Sequence, residues 1–590
     1  MTDTHTAAVP SDLNALFSTV SRIERERTSF EHTVRIAFLR NITIEGLETF
    51  LKFQLYASSI RPEVAFGGYG TMMQDVLADD GLLQRKENDL VVLSLMLEEL
   101  DPAYATPGWR AEAILPELKN LLELLETRTR ATIVVNTFLS PLYPELGLVL
   151  APDGSDAASQ VAELNHFIID FVRQHAPRFC LTDWNRYLGL LGVEGALDQR
   201  CRYLFKAPFR KEFLDLYAQD IARIVRALKG GAKKCLILDC DNTLWGGVVG
   251  EEGLDGIKLD RNEYPGKAFY DFHTSLLHLA GRGVLIVLCS KNNEPDVFEV
   301  LDNHPWCRLK RTHLSGWRIN WQDKAKNIVE LSEELNLALD SFVLVDDNPV
   351  ECELVRKLLP EVTVLKVPER LYELPPLVLR QGLFDTVSLT NEDKQRARLY
   401  QGESQRKSLR GAFASVEDYL SSLETVASIH RLRPGETARV AQLTQKTNQF
   451  NLTTRRYSEA DVRALAERED AAVFTLSVQD RFGDLGLVGV LVLERCGSTG
   501  RVDTFLMSCR ILGRGLERAM VAHCLEAMRS AWDVDLWQAE YIPTRKNMQV
   551  ADFWPKNGFV RTSDNEAMTY VRNAREEGGD IPMHISIREG

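Results

Sequence analysis

The amino-acid sequence predicts a multidomain α/β protein in which at least two domains contain parallel β-sheets. The chain has 590 residues, which is enough for about three or four domains. Short apolar runs of strand length alternate with long helical stretches through residues 31–385. The clearest of these runs end in polar residues, as strands do when they present side chains at the edge of an open sheet.

Charge and cysteine usage exclude several classes of protein. A net charge of −14 argues against a general nucleic-acid binder, because such proteins carry a basic face. The longest apolar runs are too short to span a bilayer, and the first residues have no secretory signal pattern. The ten cysteines include no CxxC pair, so neither a zinc ribbon nor a disulfide framework is indicated. We therefore expect a cytoplasmic protein with no nucleic-acid or membrane partner.

The first domain is predicted at residues 31–230, after a polar and mobile N-terminal arm at residues 1–30. Its predicted elements are strands at His32–Leu39, Asp89–Leu95 and Ala131–Asn136 and helices at Ala111–Thr127 and Ala157–His175. Strands that alternate with helices in this way predict a parallel sheet covered by helices. The glycine-rich segment at residues 67–70 is predicted to be a turn.

The order of these elements resembles that of SGNH-type esterase domains. In the resemblance, a Gly-Asp-Ser turn is expected after the first strand, but this chain has Leu39-Arg40-Asn41-Ile42 there. An Asp-x-x-His near the domain's end is also missing, since no histidine occurs between His175 and His273. We therefore interpret residues 31–230 as an SGNH-like scaffold or docking domain that lacks catalytic residues.

The second domain is predicted at residues 231–385, and it carries the candidate chemistry. Its predicted strands are Cys235–Leu238, Val284–Leu288, Cys307–Lys310, Phe342–Val345 and Val362–Val367. The polar residues at strand ends and before the helix that starts near residue 324 form one set: Asp239, Asp241, Ser290, Lys324, Asp346 and Asp347. Because the carboxyl ends of parallel strands share one edge, we expect these side chains to form a single site.

This set resembles the four motifs of the haloacid dehalogenase (HAD) superfamily. The resemblance implies a Rossmann-like parallel sheet and phosphoryl transfer, with Asp239 as the nucleophile and Asp241 as general acid and base. It also implies that Ser290 binds a phosphate oxygen and that Lys324 neutralises charge. The implied cofactor is Mg²⁺, held by Asp239, the backbone carbonyl of Asp241 and Asp346.

The residues around the motifs narrow the resemblance. Asp241–Gly247, Cys289–Asn292 and Val345–Pro349 resemble FkbH-like proteins, HAD subfamily IIIC enzymes of polyketide pathways, over about residues 234–559. The implied activity takes 1,3-bisphosphoglycerate, captures its acyl group as an enzyme thioester, removes the phosphates and passes glyceryl to the phosphopantetheine arm of an acyl carrier protein. The remaining phosphate- or substrate-binding candidates are Asn242, Thr243, Lys291, Asn292 and Asp347.

Two interpretations of Cys240 stay open. As a catalytic residue it accepts the acyl group, since a neighbouring Mg²⁺ and Lys324 favour a thiolate. Strand geometry argues the opposite, because Asp239 and Asp241 share one face and Cys240 then points into the core. The alternative function is therefore a Mg²⁺-dependent phosphatase that acts on a small phosphorylated metabolite without acyl transfer. Cys289 and Cys509 are weaker candidates for the acyl site.

The remainder of the chain is predicted as a helical connector at residues 386–425, a domain at residues 426–575 and a C-terminal tail at residues 576–590. Strands predicted at Phe474–Val478, Val488–Glu494 and Val502–Met507 precede the sequence Arg510-Ile511-Leu512-Gly513-Arg514-Gly515. This resembles the R/Q-x-x-G-x-G/A turn of GNAT acyltransferases, in which backbone amides bind the pyrophosphate of coenzyme A.

The GNAT-like resemblance implies an α+β fold and a binding site for coenzyme A or the arm of a carrier protein. The residues it implies are Arg510, Gly513, Arg514 and Gly515. The polar loop at Thr444–Asn451 is predicted to line the same site, and Glu517 and Tyr541 are candidates for a base. A carrier-protein scaffold without catalysis is a further hypothesis, but the phosphate-site motifs of the preceding domain argue against it.

Overall fold

The computed structural model describes residues 12–78, 81–83, 88–104, 106, 108–143, 145–389, 413, 415–544, 546–564, 567–576 and 582–589. The chain forms two compact units, Met1–Lys229 with Thr386–Ser388 and Gly230–Asp385 with Leu389–Gly590. Among the described residues, no helix combines the length and apolar character needed to cross a bilayer. The α/β fold class with parallel sheets is confirmed.

The first unit contains a five-stranded parallel sheet with the order β2-β1-β3-β4-β5. Its strands are β1 (His32–Arg40), β2 (Ile60–Tyr69), β3 (Leu90–Ser94), β4 (Thr132–Asn136) and β5 (Phe179–Thr182). Its helices are α1 (Leu13–Glu26), α2 (Leu47–Tyr56), α3 (Met72–Leu77), α4 (Leu97–Leu100), α5 (Leu115–Arg128), α6 (Ala157–Gln174), α7 (Trp184–Ala196), α8 (Gln199–Phe205) and α9 (Lys211–Leu228). Apolar side chains pack on both faces of the sheet, which explains why β3 is buried throughout.

Two predictions for this unit are wrong. Residues 13–26, predicted as part of a mobile arm, form α1, and Leu16 and Val20 on this helix are buried in the core. Leucine and valine four residues apart pack on one side of a helix, so this short amphipathic pattern was the signal that we missed. The segment predicted as a turn continues β2 as far as Tyr69, and the left-handed backbone begins at Gly70, where φ is +66°.

The second unit contains two sheets, of which the first is parallel and has the order β10-β9-β6-β7-β8. Its strands are β6 (Cys235–Leu238), β7 (Leu285–Ser290), β8 (Leu314–Ile319), β9 (Phe342–Asp346) and β10 (Thr363–Lys366). The helices around it are α10 (Val249–Gly256), α11 (Gly266–Gly281), α12 (Glu294–Asn303), α13 (Lys324–Leu335), α14 (Pro349–Leu358) and α15 (Leu377–Arg380). Strand β6 is central, and the apolar layers on the two faces of this sheet bury it completely.

The strand predicted at Cys307–Lys310 is wrong. The next strand after β7 is β8, which begins at Leu314. Cys307 and Leu309 are both buried, which produced an alternating pattern without a pairing strand. Alternating buried residues therefore occur here in a segment that is not a strand.

The second sheet has eight strands in the order β16-β17-β15-β14-β13-β12-β11-β18. They are β11 (Thr425–Arg431), β12 (Ala471–Asp480), β13 (Gly483–Cys496), β14 (Thr499–Met507), β15 (Leu536–Tyr541), β16 (Val560–Asp564), β17 (Met568–Asn573) and β18 (Ile585–Glu589). The helices in this part are α16 (Val416–Ser422), α17 (Thr437–Lys446), α18 (Glu459–Glu467), α19 (Leu516–Trp532) and α20 (Phe553–Lys556).

Two predicted segments around this sheet differ from the structure. The predicted C-terminal tail ends in β18, which pairs in parallel with β11 and so belongs to the sheet. In the predicted connector, residues 390–412 and 414 lie outside the described residues, and α16 is the helix that the structure describes there.

Candidate functional site

Three charged side chains meet at the carboxyl edge of the parallel sheet in the second unit. Asp239 directly follows β6, Asp346 ends β9, and Lys324 is the first residue of α13. Lys324 Nζ lies 2.8 Å from Asp239 Oδ1 and 2.5 Å from Asp346 Oδ2. All three side chains are buried, with residue exposures of 6% or less. The structure therefore brings these predicted site residues into direct contact.

The charges of this group strongly influence one another. Burial raises the pKa of Asp239 to about 7, while Lys324 opposes the shift and Asp346 adds to it. Burial alone would lower the pKa of Lys324, but the two carboxylates outweigh it and hold that pKa above its ordinary value. Lys324 is therefore a permanent cation between two acids.

A carboxylate cluster at the same edge fits a divalent cation. Asp239, Asp346 and Asp347 offer oxygen atoms that all lie within 4.8 Å of one another. The pKa of Asp347 is raised by burial and by the charge of Asp346, so a further positive charge is favourable here. Carboxylate oxygens are also the ligands that Mg²⁺ prefers. The structure thus adds Asp347, predicted to bind phosphate or substrate, to the candidate ligands.

The side chain of Asp241 is held by a separate set of donors. Its Oδ1 accepts hydrogen bonds from Trp245 Nε1 at 2.9 Å and from Val249 N at 3.1 Å. Its Oδ2 accepts one from Asn292 Nδ2 at 2.8 Å. Burial raises the pKa of Asp241, although these three donors oppose the shift. Asn292 was among the predicted residues, whereas Trp245 and Val249 were not singled out as donors.

Three more predicted phosphate- or substrate-binding residues lie near the acid pair: Asn242 and Thr243 in the loop after Asp241, and Ser290 at the end of β7. Asn242 has a left-handed backbone with φ of +54°, and its Oδ1 accepts a hydrogen bond from Gly247 N at 2.9 Å. Thr243 is completely buried, and its Oγ1 has no hydrogen-bond partner among the described residues. Ser290 is 2% exposed, and its side chain favours the ionised form of Asp239. Of these three, Ser290 is the one in electrostatic contact with the predicted nucleophile.

Lys291 has a carboxylate partner outside this cluster. Its Nζ lies 2.6 Å from Glu351 Oε1 on α14. This ion pair was not predicted, because the two residues are 60 positions apart in the chain. Lys291 itself follows β7, and the partner of its Nζ is Glu351 on α14 and not a member of the acid cluster.

Cys240 is completely buried and packs in an apolar cluster that includes Leu238, Leu244 and Trp245. Burial, followed by the charge of Asp239, raises the pKa of the Cys240 thiol well above its ordinary value. In this conformation the thiol is protonated and enclosed, as the strand geometry predicted. Cys289 is also buried, and burial raises its pKa to about 12.

The glycine turn of the second sheet binds a carboxylate of its own helix. Gly513 and Gly515 have φ of +76° and +81°, and Gly513 N donates to Glu517 Oε1 at 2.8 Å. Burial raises the pKa of Glu517, and the backbone N–H groups of the turn oppose the shift. Arg514 is buried in a 3.1 Å ion pair with Asp480. The predicted anion-binding amides thus face an internal anion.

A loop segment lies between strands β14 and β15. The two strands pair in parallel only from Thr499–Val502 to Leu536–Ala539. Beyond that region the segment at residues 450–452 bonds both strands: Met507 N donates to Phe450 O at 3.0 Å, and Ile542 N donates to Leu452 O at 2.8 Å. Where β14 and β15 separate, residues 450–452 therefore supply backbone hydrogen-bond partners to both of them.

Solved structures resemble parts of this chain. The N-terminal part of BF1531 from Bacteroides fragilis, described as containing a phosphatase domain complexed with Mg, is 24% identical, with a TM-score of 0.57, and the match covers 63% of this chain and 99% of that chain. This likeness shows a shared fold. No protein-family model matches the chain, and the search of curated proteins gives no match.

Several other structures that are similar to part of this chain are acetyltransferases. The ribosomal-protein-S18-alanine N-acetyltransferase from Escherichia coli is 13% identical over 26% of this chain and 96% of its own, with a TM-score of 0.21. A putative GNAT-family acetyltransferase from Desulfovibrio desulfuricans is 15% identical over 25% of this chain and 99% of its own, also with a TM-score of 0.21.

Proposed function

We propose that the chain is a Mg²⁺-dependent phosphohydrolase that acts in the cytoplasm and uses Asp239 as its nucleophile. The observation that carries the proposal is the buried Lys324, which contacts Asp239 and Asp346 at the carboxyl edge of a parallel sheet. A buried acid–base cluster at that edge is the expected place for catalysis in an open α/β sheet.

Each side chain has a part in the reaction. Asp239 attacks phosphorus and forms an aspartyl phosphate while the leaving oxygen takes a proton from Asp241. Water then attacks the phosphorus of this acyl phosphate and gives a proton to Asp241, and cleavage of the P–O bond to Asp239 releases phosphate and restores the carboxylate. Lys324 opposes the effect of burial on the pKa of Asp239, so it favours the ionised nucleophile, and it neutralises charge on the phosphoryl group. Asp239, Asp346 and Asp347 would hold Mg²⁺, which when bound supplies positive charge opposite the phosphoryl oxygens.

The finer candidate function is the loading of glyceryl from 1,3-bisphosphoglycerate onto an acyl carrier protein in polyketide-type biosynthesis. It rests on the residues around the motifs, which resemble FkbH-like proteins. It also requires an accessible thiol, whereas Cys240 is enclosed in an apolar cluster. The geometry therefore supports hydrolysis of a small phosphorylated metabolite, and acyl transfer remains the second candidate.

Replacement of the nucleophile tests the first proposal. We expect Asp239→Asn to abolish phosphate release from 1,3-bisphosphoglycerate and from simple phosphate esters in the presence of Mg²⁺, because the amide cannot attack phosphorus. The matched control is Asp302→Asn on α12, whose side chain is 42% exposed, and it should retain full activity. Phosphate release that survives Asp239→Asn would overturn the assignment.

A mass measurement separates the two candidates. The protein is incubated with 1,3-bisphosphoglycerate and Mg²⁺, and its intact mass is followed before and after addition of a phosphopantetheinylated carrier protein. Hydrolysis alone leaves no acyl adduct, and Cys240→Ala releases phosphate at the normal rate. A thioester on Cys240 that moves to the carrier protein supports acyl transfer.

A further inference from the structure

The two carboxylate oxygens of Asp241 accept different numbers of hydrogen bonds. Oδ1 accepts two, from Trp245 Nε1 at 2.9 Å and from Val249 N at 3.1 Å. Oδ2 accepts one, from Asn292 Nδ2 at 2.8 Å, and the described part of the chain holds no further donor to this carboxylate. Each oxygen of an ionised carboxylate has two lone pairs. Both lone pairs of Oδ1 are therefore used, whereas Oδ2 keeps one for another partner.

The side-chain amide of Asn292 can present only its NH2 group to Asp241. Its Oδ1 accepts a hydrogen bond from Asn293 N at 2.8 Å, and a backbone N–H can only donate. The amide oxygen therefore faces Asn293, and the amide nitrogen faces the carboxylate. Asn292 is 5% exposed, so close packing limits other orientations of its side chain. The donor to Oδ2 is thus fixed before a substrate binds.

The donors to Asp241 come from two separate segments of the chain. Trp245, which is completely buried, and Val249, the first residue of α10, follow Asp241 in sequence. Asn292 instead follows β7. Rotation of the carboxylate would break hydrogen bonds to both segments, so its two oxygens are not equivalent in the folded chain. Asp241 itself is only partly buried, as a group that exchanges protons with substrate and water must be.

We propose that Oδ2 is the atom of Asp241 that transfers the proton and that Asn292 is the residue that positions it. This inference rests on the proposed hydrolase function and adds the proton-transferring atom to it. As Asp239 bonds to phosphorus, the bond from phosphorus to the leaving oxygen breaks, and that oxygen takes the proton from Oδ2. In the second step the attacking water gives a proton back to Oδ2.

This role matters most for phosphate esters of alcohols. An alkoxide is strongly basic, so an alcohol leaves only when its oxygen receives a proton. The p-nitrophenolate ion is weakly basic and leaves without one. Loss of the positioned proton donor should therefore separate these two kinds of substrate, whereas a general disturbance of the site should affect both alike.

Hydrolysis of glycerol 3-phosphate and p-nitrophenyl phosphate by the full chain with Mg²⁺ tests the proposal. For each substrate kcat/KM reports the steps up to formation of the aspartyl phosphate, so hydrolysis of that shared intermediate does not enter the comparison. We expect Asn292→Ala to lower kcat/KM about tenfold more for glycerol 3-phosphate than for p-nitrophenyl phosphate, the size of one charged hydrogen bond. Asn303→Ala, exposed at the end of α12, is the control and should change neither value.

Trp245→Phe removes a donor from the other oxygen and so distinguishes the two atoms. It should lower kcat/KM for both substrates by the same factor, because Oδ2 and its donor Asn292 remain. A loss selective for glycerol 3-phosphate in Trp245→Phe but not in Asn292→Ala would assign the proton transfer to Oδ1 and overturn the proposal.

The nucleophile variant separates failure of this inference from failure of the hydrolase function. If Asp239→Asn is inactive but Asn292→Ala affects both substrates equally or neither, the role of Asn292 is wrong and the hydrolase function stands. Hydrolysis of both esters by Asp239→Asn would overturn both. Melting temperatures show that each variant is folded, and Asn292→Ser, whose shorter side chain does not reach Oδ2, takes the place of Asn292→Ala if the latter does not fold.

Discussion

Two five-stranded parallel sheets in this chain carry different side chains at the same edge. In the first unit, Asn41 follows β1, and Asn136 ends β4. In the second unit, the corresponding places after or at the ends of strands hold Asp239 and Asp346. The two sheets have the same number of strands and both are parallel, but their strand orders differ, and so do the side chains at these places.

The neutral residues of the first unit are satisfied by backbone. Asn41 Nδ2 donates to Met96 O at 2.8 Å, and its Oδ1 accepts from Met96 N at 2.9 Å. Asn136 makes the same two kinds of bond with Leu95, each at 2.9 Å. These two amides are satisfied by backbone groups and need no charged partner. That this domain lacks catalytic residues stays a prediction.

The charged residues of the second unit are matched only in part. Lys324 contacts Asp239 and Asp346, but the nearby Asp347 adds another acid. Acids in excess of cations raise one another's pKa values until a cation binds. The comparison teaches that the carboxyl edge of a parallel sheet is where a site can form, and that a buried group of unbalanced charges distinguishes the edge in the second unit from that in the first.

The largest effect is expected from Lys324→Met. It leaves two carboxylates buried without their cation, so we expect phosphate release to fall at least about 100-fold. Unfolding in urea should show a loss of about 3–5 kcal/mol, the usual cost of breaking a buried ion pair. Lys326→Met, at an exposed position two residues further along α13, is the control. Equal activity of the two variants would contradict the role of Lys324.

The converse change places a charge in the first unit. Asn41→Asp replaces the amide that donates to Met96 O, and we expect a loss of about 3 kcal/mol at pH 7. A protonated aspartic acid can donate to that carbonyl, so its folded pKa lies above the unfolded value of about 3.9. The loss should therefore shrink as the pH falls towards 4, and Asn120→Asp, exposed on α5, should show neither effect.

The second unit also contains a buried neutral side chain that is hydrogen-bonded to backbone, as Asn41 and Asn136 are in the first unit. His273 Nε2 lies 2.9 Å from Leu244 O, in the loop after the acid pair, and burial lowers the pKa of His273 to about 4. The unfolded chain binds this proton near pH 6.5, so stability should fall by about 3 kcal/mol as the pH drops from 6.5 to 4.

Removal of the histidine tests this pH dependence. His273→Asn should lose that part of the pH dependence of unfolding in urea, while His278→Gln, exposed on the same helix, should retain it. An unchanged profile in His273→Asn would show that this buried imidazole does not set the acid sensitivity.

The smallest effect is expected from Cys240→Ala. The side chain packs among apolar groups, so its truncation should cost about 1–2 kcal/mol of unfolding free energy. Phosphate release should stay within twofold of the unmodified protein. Cys289→Ala is a matched buried control. A drop in rate of more than tenfold confined to Cys240→Ala would show that the thiol takes part in the reaction.

Much of the fold was predictable because buried parallel strands are short apolar runs. The runs at β1, β3, β4, β6 and β9 were found within a residue or two of their bounds. Strand β2 was missed because Pro62, Gly67 and Gly68 interrupt its pattern. Strand β5 was missed because it is less buried than β6, with only Phe179 and Thr182 fully buried among its four residues. Local pattern fails where pairing with neighbouring strands, and not side-chain composition, makes the strand.

The sequence alone determined which residues stand at the ends of strands, and so it determined the acid set around Asp239. It left the depth of Cys240 open, and the folded chain places this side chain in the apolar cluster with Leu244 and Trp245. Tertiary structure decided the partners: Asn292 on Asp241, Glu351 on Lys291 and Glu517 on the amide of Gly513. The first two pairs are 51 and 60 positions apart, and no local pattern specifies contacts over such distances. The third replaces an expected external anion with an internal one, which only the folded chain can reveal.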